Sequence, residues 1–171
     1  MKVLFHYAAG PDLTARLSAL PGLAVSVCPE ADDAQLAALL PETEVIWHVL
    51  KPLSAEHIAA APKLRLIQKI GVGVNTIDLV AAKASGVAVS NMPGTNSQAV
   101  AEMALALMLA VLRRLTYLDP LTRRGEGWSP DPAQIDGTGE ICGRTVGFVG
   151  YGGSASRLGT ALEALGAEVI Y

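Results

Sequence analysis

The sequence predicts an α/β fold, in which helices cover both faces of a parallel sheet. Short strand-like runs alternate with helical segments from the N-terminus to residue 90, which is the rhythm of this fold class. Most of these runs (VLF, AVSV, LIQKI, VAV) are mainly apolar and do not alternate cleanly with polar residues, as expected of strands buried on both faces. With 171 residues and 51% hydrophobic content, the chain can bury a sizeable core. These observations favour a flavodoxin-like parallel sheet.

The first part of the chain is predicted to hold five strands and four helices. The strands are 2–6, 23–27, 44–47, 64–69 and 87–90, and the helices between them are 12–19, 31–40, 54–60 and 78–84. A Pro-Gly turn (MPGTN) follows, and its Asn96 or the next residue, Ser97, is placed to cap a long helix. We therefore place a domain boundary near Pro93, with domains 1–93 and 94–171.

The long helix is predicted over 98–116 and is apolar around almost its whole circumference. A helix on one core needs an apolar stripe of only about 100°, so the surplus apolar surface is expected to be buried elsewhere. Glu102 interrupts the apolar run, which falls short of the roughly 20 residues of a bilayer span, so no membrane helix is predicted. The Gly- and Pro-containing segment 125–143 is predicted to be a loop.

A glycine-dense turn follows the strand-like start of RTVGFVGYGGSA, residues 144–155. Gly150 and Gly152 would let the backbone approach a pyrophosphate, and Ala155 would allow close packing of the next helix on the strand. A helix from Ser156 and a strand over 168–171 complete a βαβ unit, the first of a Rossmann dinucleotide-binding domain. An acidic residue is expected about 20 residues on. The sequence ends at Tyr171, about where this acidic residue is expected, as if inside a domain.

Composition and charge limit which classes of binding partner and which cellular compartment fit this protein. The net charge is −3, and the few adjacent arginines do not form the basic patch that a nucleic-acid-binding protein needs. Cys28 and Cys142 lack metal-ligand or pairing spacing and are interpreted as small buried residues in a reducing compartment. The N-terminal apolar run is too short for a signal peptide. These features predict a cytoplasmic protein with no metal site and no nucleic-acid partner.

Three blocks together resemble the D-isomer-specific 2-hydroxyacid dehydrogenase family. They are KIGVGVNTIDLVAAKASGVAVSNMPGTN at 69–96, VAEMALALMLAVLRR at 100–114 and GEICGRTVGFVGYGGSA at 139–155. The resemblance implies a substrate domain over 1–93 and the start of an NAD-binding domain over 94–171. It also implies hydride transfer between NAD and the C2 carbon of a small 2-oxo or 2-hydroxy acid. NADP stays open as the cofactor.

The resemblance implies two groups of binding residues. The backbone N–H groups of Val72 and Gly73 match positions that hold the substrate carboxylate, and a glycine-flanked turn suits an anion because it exposes donors without bulk. For the cofactor, Val100 matches a position near the nicotinamide, and Gly153 and Ser154 match the residues over the pyrophosphate. The predicted cofactor site also includes Gly150, Gly152 and Ala155 of the glycine-dense turn. Members of the family commonly carry a basic residue where Gly153 stands and an aliphatic residue where Ser154 stands.

Other polar residues have weaker assignments. The cation of Lys51 could steer an anionic substrate, although a solvated loop lysine is the alternative. A strand-end histidine such as His48 is more often a hydrogen-bonded structural residue than a catalytic one. Glu102 is interpreted as a first-turn carboxylate that the helix dipole stabilises.

The family's catalytic arginine, glutamate and histidine lie beyond the glycine-rich turn and have no matching positions here. The 171-residue chain alone is therefore expected to be inactive, and the activity is assigned to a longer parent. The alternative hypothesis is a non-catalytic dinucleotide-binding or corepressor-like module. A third hypothesis is an unrelated flavodoxin-like protein. The resemblance also implies a homodimer through helix 98–116. We expect this interface to be built around Leu105, Met108, Leu109 and Leu112.

Overall fold

The computed structural model describes all 171 residues and divides into two compact units, Met1–Pro93 and Gly94–Tyr171. No helix combines the length and the apolar character that a bilayer crossing requires.

A five-stranded, wholly parallel sheet forms the centre of the first unit, which confirms the predicted fold class. The strands are β1 (Lys2–His6), β2 (Ala24–Cys28), β3 (Val45–His48), β4 (Leu66–Lys69) and β5 (Ala88–Ser90). Their order, β2-β1-β3-β4-β5, is the flavodoxin-like order. Leu4, Ile46 and Ile67 stand in register on the three central strands and are buried, which explains why these strands are apolar.

Four helices connect these strands, and polar side chains start three of them. The helices are α1 (Pro11–Ser18), α2 (Asp33–Leu39), α3 (Ala55–Ala59) and α4 (Leu79–Ala84). The carboxylates of Asp32 and Asp78 accept backbone N–H bonds at the starts of α2 and α4, and Ser54 forms a capping box with His57 on α3. Leu36 and Ile58 then face the buried cluster of the sheet.

The second unit contains the predicted βαβ element. Its parts are α5 (Ser97–Leu112), α6 (Leu115–Arg123), α7 (Pro132–Ile135), β6 (Thr145–Gly147), α8 (Gly153–Ala164) and β7 (Glu168–Ile170). Strands β6 and β7 pair in parallel on either side of α8 in the sequence. Leu158 and Leu162 of α8 form the core with Ala101 and Ile141.

The structure corrects four predictions. Glu102 does not lie in the first turn of its helix, because α5 begins at Ser97. The long helix ends at Leu112 and does not reach Thr116, because Arg114 adopts a left-handed backbone (φ 48°) and a separate helix begins at Leu115. Segment 125–143 is not all loop, since it includes α7. Of the two cysteines that were expected to be buried, Cys28 is buried but Cys142 is exposed.

The apolar surface of α5 is also distributed differently from the prediction. The side chains expected at a dimer interface, Leu105, Met108, Leu109 and Leu112, pack against the core of their own unit. The exposed apolar side chains lie on another face of the helix, at Val100, Met103, Leu107 and Val111. Helical spacing brings these four into one stripe.

Candidate functional site

A turn after β4 holds the residues predicted to bind the substrate carboxylate. The chain leaves the carboxyl end of β4 and passes through Gly71, whose φ of 151° is a backbone conformation that side chains rarely allow. A Cβ on Gly73 would lie 3.0 Å from Oδ1 of the exposed Asn75 side chain, which would have to shift slightly to admit it. The turn ends where Asp78 caps α4.

Two hydrogen bonds fix the direction of the peptide groups in this turn. The carbonyl oxygen of Gly71 accepts from the backbone N–H of Met92 at 2.9 Å, and that of Val72 accepts from Nδ2 of Asn91 at 2.8 Å. In a planar trans peptide the N–H points opposite to the C=O. The N–H groups of Val72 and Gly73 therefore point away from both donors.

These two adjacent N–H groups have no hydrogen-bond partner. They are also accessible, because Gly73 is exposed and Val72 is 44% exposed. Consecutive free N–H groups form an anion-binding concavity that a carboxylate can fill. The turn thus offers two free donors, and carboxylate binding by Val72 and Gly73 stays a prediction.

Three polar side chains, the buried His48 and Lys69 and the half-buried Thr76, support the same turn from the sheet side. Nζ of Lys69 donates to Oγ1 of Thr76 at 3.2 Å and makes a second, short bond to the carbonyl of Val49. The same hydroxyl lies 2.8 Å from Nε2 of His48. Burial lowers the pKa of Lys69, while the carboxylate of Glu30 raises it. The trio ties the end of β3 to the end of the turn.

His48 is fully buried, and burial, the charge of Lys69 and the ring of His6 together lower its pKa to about 4. Burial also lowers the pKa of His6, whose two ring nitrogens have no hydrogen-bond partner. Both rings are therefore neutral at pH 7. This agrees with a structural role for His48.

Four strands of the sheet end on a side chain that can ionise. Cys28, His6, His48 and Lys69 are in register on β2, β1, β3 and β4, so their side chains share one face. The row crosses the β1/β3 boundary, where the strand order reverses and ligands of such sheets bind. The sequence analysis assigned no function to this row. The predicted strands end at His6 and Lys69 but stop one residue before Cys28 and His48, so the sequence signal for this row was incomplete.

The charged side chain of Lys51 is held by an ion pair and a hydrogen bond to nearby residues. Nζ forms a short ion pair with Asp33 on α2 and donates to the carbonyl of Glu30 at 2.7 Å. The bond from Lys51 is the main reason that the pKa of Asp33 is lowered. Substrate steering by Lys51 remains a prediction, and the observed role of this side chain is to connect the segment after β3 to α2.

The second unit carries the glycine-rich turn. Gly150 has a left-handed backbone (φ 89°), and Gly152 precedes α8 without any side chain capping the helix. The first N–H groups of α8, on Gly153, Ser154 and Ala155, belong to the first turn and have no carbonyl four residues back within the helix. Such a helix N-terminus favours a phosphate.

The structure gives a physical reason for glycine at position 153. A Cβ there would lie 3.1 Å from Oγ of Ser97, which is buried in the first turn of α5. Val100, predicted near the nicotinamide, lies one turn further along α5 and is 45% exposed. The residues predicted to bind the cofactor thus lie in the turn before α8 and at the starts of α5 and α8, two helices that pack together.

Tyr151, inside the glycine-rich turn, packs against aromatic neighbours. Its ring stacks on Tyr171 with centroids 4.2 Å apart and meets Phe148 edge-on at 5.5 Å. Its hydroxyl lies against Gly159 of α8, where an added Cβ would overlap it. The absence of a side chain at Gly159 therefore makes room for the Tyr151 ring.

Known proteins resemble the chain both in sequence and in structure. It is 39% identical to D-3-phosphoglycerate dehydrogenase of Mycobacterium leprae over 140 residues, 81% of this chain and 26% of the relative. It is 36% identical to glyoxylate reductase of Thermococcus litoralis over 129 residues, 72% of this chain and 38% of the relative. The chain thus aligns with only about a quarter to two-fifths of these relatives.

Among solved structures, D-lactate dehydrogenase from Aquifex aeolicus, complexed with NAD and lactic acid, superposes with a TM-score of 0.82 at 27% identity, covering 99% of this chain and 50% of that one. The TT0316 protein from Thermus thermophilus superposes with a TM-score of 0.85 at 29% identity, covering 100% and 55%. The sequence model of the family described as D-isomer specific 2-hydroxyacid dehydrogenase, catalytic domain, matches residues 3–168. The chain therefore belongs to this family.

Proposed function

We propose that the chain supplies the substrate-binding domain (1–93) and the start of the NAD-binding domain (94–171) of an NAD-dependent oxidoreductase. The reaction would interconvert a small 2-oxo acid and its D-2-hydroxy acid. The observation that carries this proposal is the pair of free, accessible N–H groups on Val72 and Gly73. A carboxylate is common to all substrates of this class, and two adjacent donors match its two oxygens.

NAD is the proposed cofactor, with NADP a weaker alternative. Three features support it: the left-handed turn at Gly150, the uncapped start of α8 at Gly152, and the NAD held by the related D-lactate dehydrogenase. The pyrophosphate would lie on the N–H groups of Gly153, Ser154 and Ala155. The bound cofactor would supply the hydride.

The 171-residue chain alone is proposed to bind these ligands without turning them over. None of its residues matches the family's arginine, glutamate or histidine, and general acid catalysis alone typically contributes about 10²–10⁴-fold in rate. We also propose a cytoplasmic location, which the two free thiols, Cys28 and Cys142, support.

Binding of oxalate, a planar dianion that resembles a 2-oxo acid, tests the substrate site. In a titration of the ¹⁵N-labelled chain at constant ionic strength, we expect the largest amide shifts at Val72 and Gly73, because their N–H groups gain an acceptor. Chloride in place of oxalate is the control and should leave these two signals unmoved. A folded chain that binds NAD but shows no oxalate shift at this turn would favour the non-catalytic alternative.

We also propose that the protein is a homodimer through the exposed stripe of α5, with Leu107 (59% exposed) near its middle. Light scattering should give twice the chain mass of 17.7 kDa for the wild type. Leu107→Glu should give a monomer, because it places a charge in a self-complementary apolar patch. Val80→Glu, an equivalent change at an 81% exposed valine of α4, should remain dimeric. A monomeric wild type would contradict this interface.

A further inference from the structure

The turn that carries Val72 and Gly73 is held by donors from the end of β5, and only one of these donors is a side chain. We propose that Asn91 is a positioning residue for the substrate carboxylate, acting through the orientation of the Gly73 N–H. This inference rests on the proposed function, because it presumes that the free N–H pair is the carboxylate site. Asn91 itself makes no contact with the anion in this arrangement.

The turn needs such a restraint because of its own sequence. Gly71 and Gly73 flank Val72, and glycine loses more conformational freedom on ordering than any other residue. Without an outside contact, the peptide group between Val72 and Gly73 could rotate and turn its N–H away from solvent. The bond from Nδ2 of Asn91 to the carbonyl of Val72, at 2.8 Å, opposes this rotation.

The two restraints on the turn can be separated experimentally. Met92 restrains the preceding peptide through its backbone N–H, which every substitution except proline retains. Asn91 restrains the following peptide through its side-chain amide alone. Loss of the Asn91 amide should therefore disturb the N–H of Gly73 more than the N–H of Val72. A general loosening of the turn would disturb both.

Asn91 is also a suitable position to test, because it is exposed and its removal opens no core cavity. The buried support of the turn, Lys69 with Thr76, stays in place when Asn91 changes. A carboxylate at position 91 could no longer donate to the Val72 carbonyl at neutral pH. It would also add a negative charge close to the anion site.

The experiment compares Asn91→Ala and Asn91→Asp with the wild type in the oxalate titration. We expect Asn91→Ala to weaken oxalate binding by about three- to tenfold, the loss of about one net hydrogen bond. Asn91→Asp should weaken it further, through repulsion. The matched control is Asn96→Ala, since the Asn96 side chain makes no capping bond on α5, and it should bind oxalate as the wild type does.

Urea unfolding of the same variants separates positioning from stability. If Asn91 positions the turn, oxalate affinity falls while the unfolding midpoint stays close to that of the wild type. A lowered midpoint with affinity within about twofold of the wild type would overturn the inference, since one net hydrogen bond predicts more. Absence of oxalate shifts in the wild type itself would instead overturn the proposed function, and this inference with it.

Discussion

Acidification between about pH 7.5 and about pH 4.5 is expected to lower the free energy of unfolding, with His48 alone contributing about 2.5 kcal/mol. The pKa of His48 falls from 6.5 in an unfolded chain to about 4 in the folded one. The unfolded chain therefore binds the proton first as the pH falls. The stability that neutral His48 contributes is complete above about pH 6.5 and is lost progressively down to about pH 4.

His6 should add to this loss with the same sign, because burial lowers its pKa as well. The carboxylate of Asp33 also loses its ion pair with Lys51 on protonation, although its own pKa is lowered, so its loss comes at more acidic pH. The contribution of His48 therefore has to be isolated by substitution.

Chemical denaturation of His48→Gln across this pH range isolates that contribution. The glutamine amide can still hydrogen-bond with Oγ1 of Thr76 but cannot titrate, so the pH dependence should shrink by about 2.5 kcal/mol relative to the wild type. Asn96→Ala changes an exposed side chain that carries no titratable group and should keep the wild-type pH dependence. Equal pH dependence of all three proteins would show that His48 is not the buried neutral group described above.

Gly159→Ala is expected to lower the free energy of unfolding by about 1–3 kcal/mol, the usual cost of overpacking. In an exposed helix interior the same change would stabilise by about 1 kcal/mol. At this position, however, the new methyl would overlap the hydroxyl of Tyr151, and two ring carbons would lie 3.1 and 3.2 Å from it. The ring would have to move off Tyr171, and the glycine-rich turn would move with it.

A double-mutant cycle with Tyr151→Ala tests this explanation by urea unfolding. Once the ring is removed, the added methyl has free space, so Gly159→Ala should become neutral or stabilising in the Tyr151→Ala background. Thr160→Ala, at the neighbouring exposed position of α8, should change stability little in either background. If Gly159→Ala alone is as stable as the wild type, Tyr151 does not constrain this helix.

The sequence by itself determined the fold class and the element order, for a physical reason that is local. Strands covered on both faces carry mainly apolar residues, such as the buried Leu4 of β1 and Ile46 of β3, and helices begin at capping residues such as Asp32 and Asp78. Each signal lies within one short segment. The resemblance of three such blocks also identified the family, and the match to residues 3–168 confirms it.

Only the tertiary structure decided features that depend on register and on backbone direction. His6, His48 and Lys69 lie far apart in the sequence and become neighbours because parallel pairing aligns the ends of their strands. The break at Arg114 is a left-handed residue that no apolar pattern reveals. The outward face of α5 depended on where α8 packs, so Leu109 turned inward and Leu107 outward.

The two free N–H groups of Val72 and Gly73 show, within one site, which features the sequence determines and which the tertiary structure decides. The glycine-flanked sequence at Val72 indicated an anion-binding turn, because exposed N–H groups without side-chain bulk are a local property. Whether those N–H groups are free, and which way they point, depended on carbonyl bonds made by Asn91 and Met92 from another strand's end. Sequence thus determined what the turn could bind, and tertiary contacts decided its orientation, because a peptide group is oriented by whatever holds its opposite side.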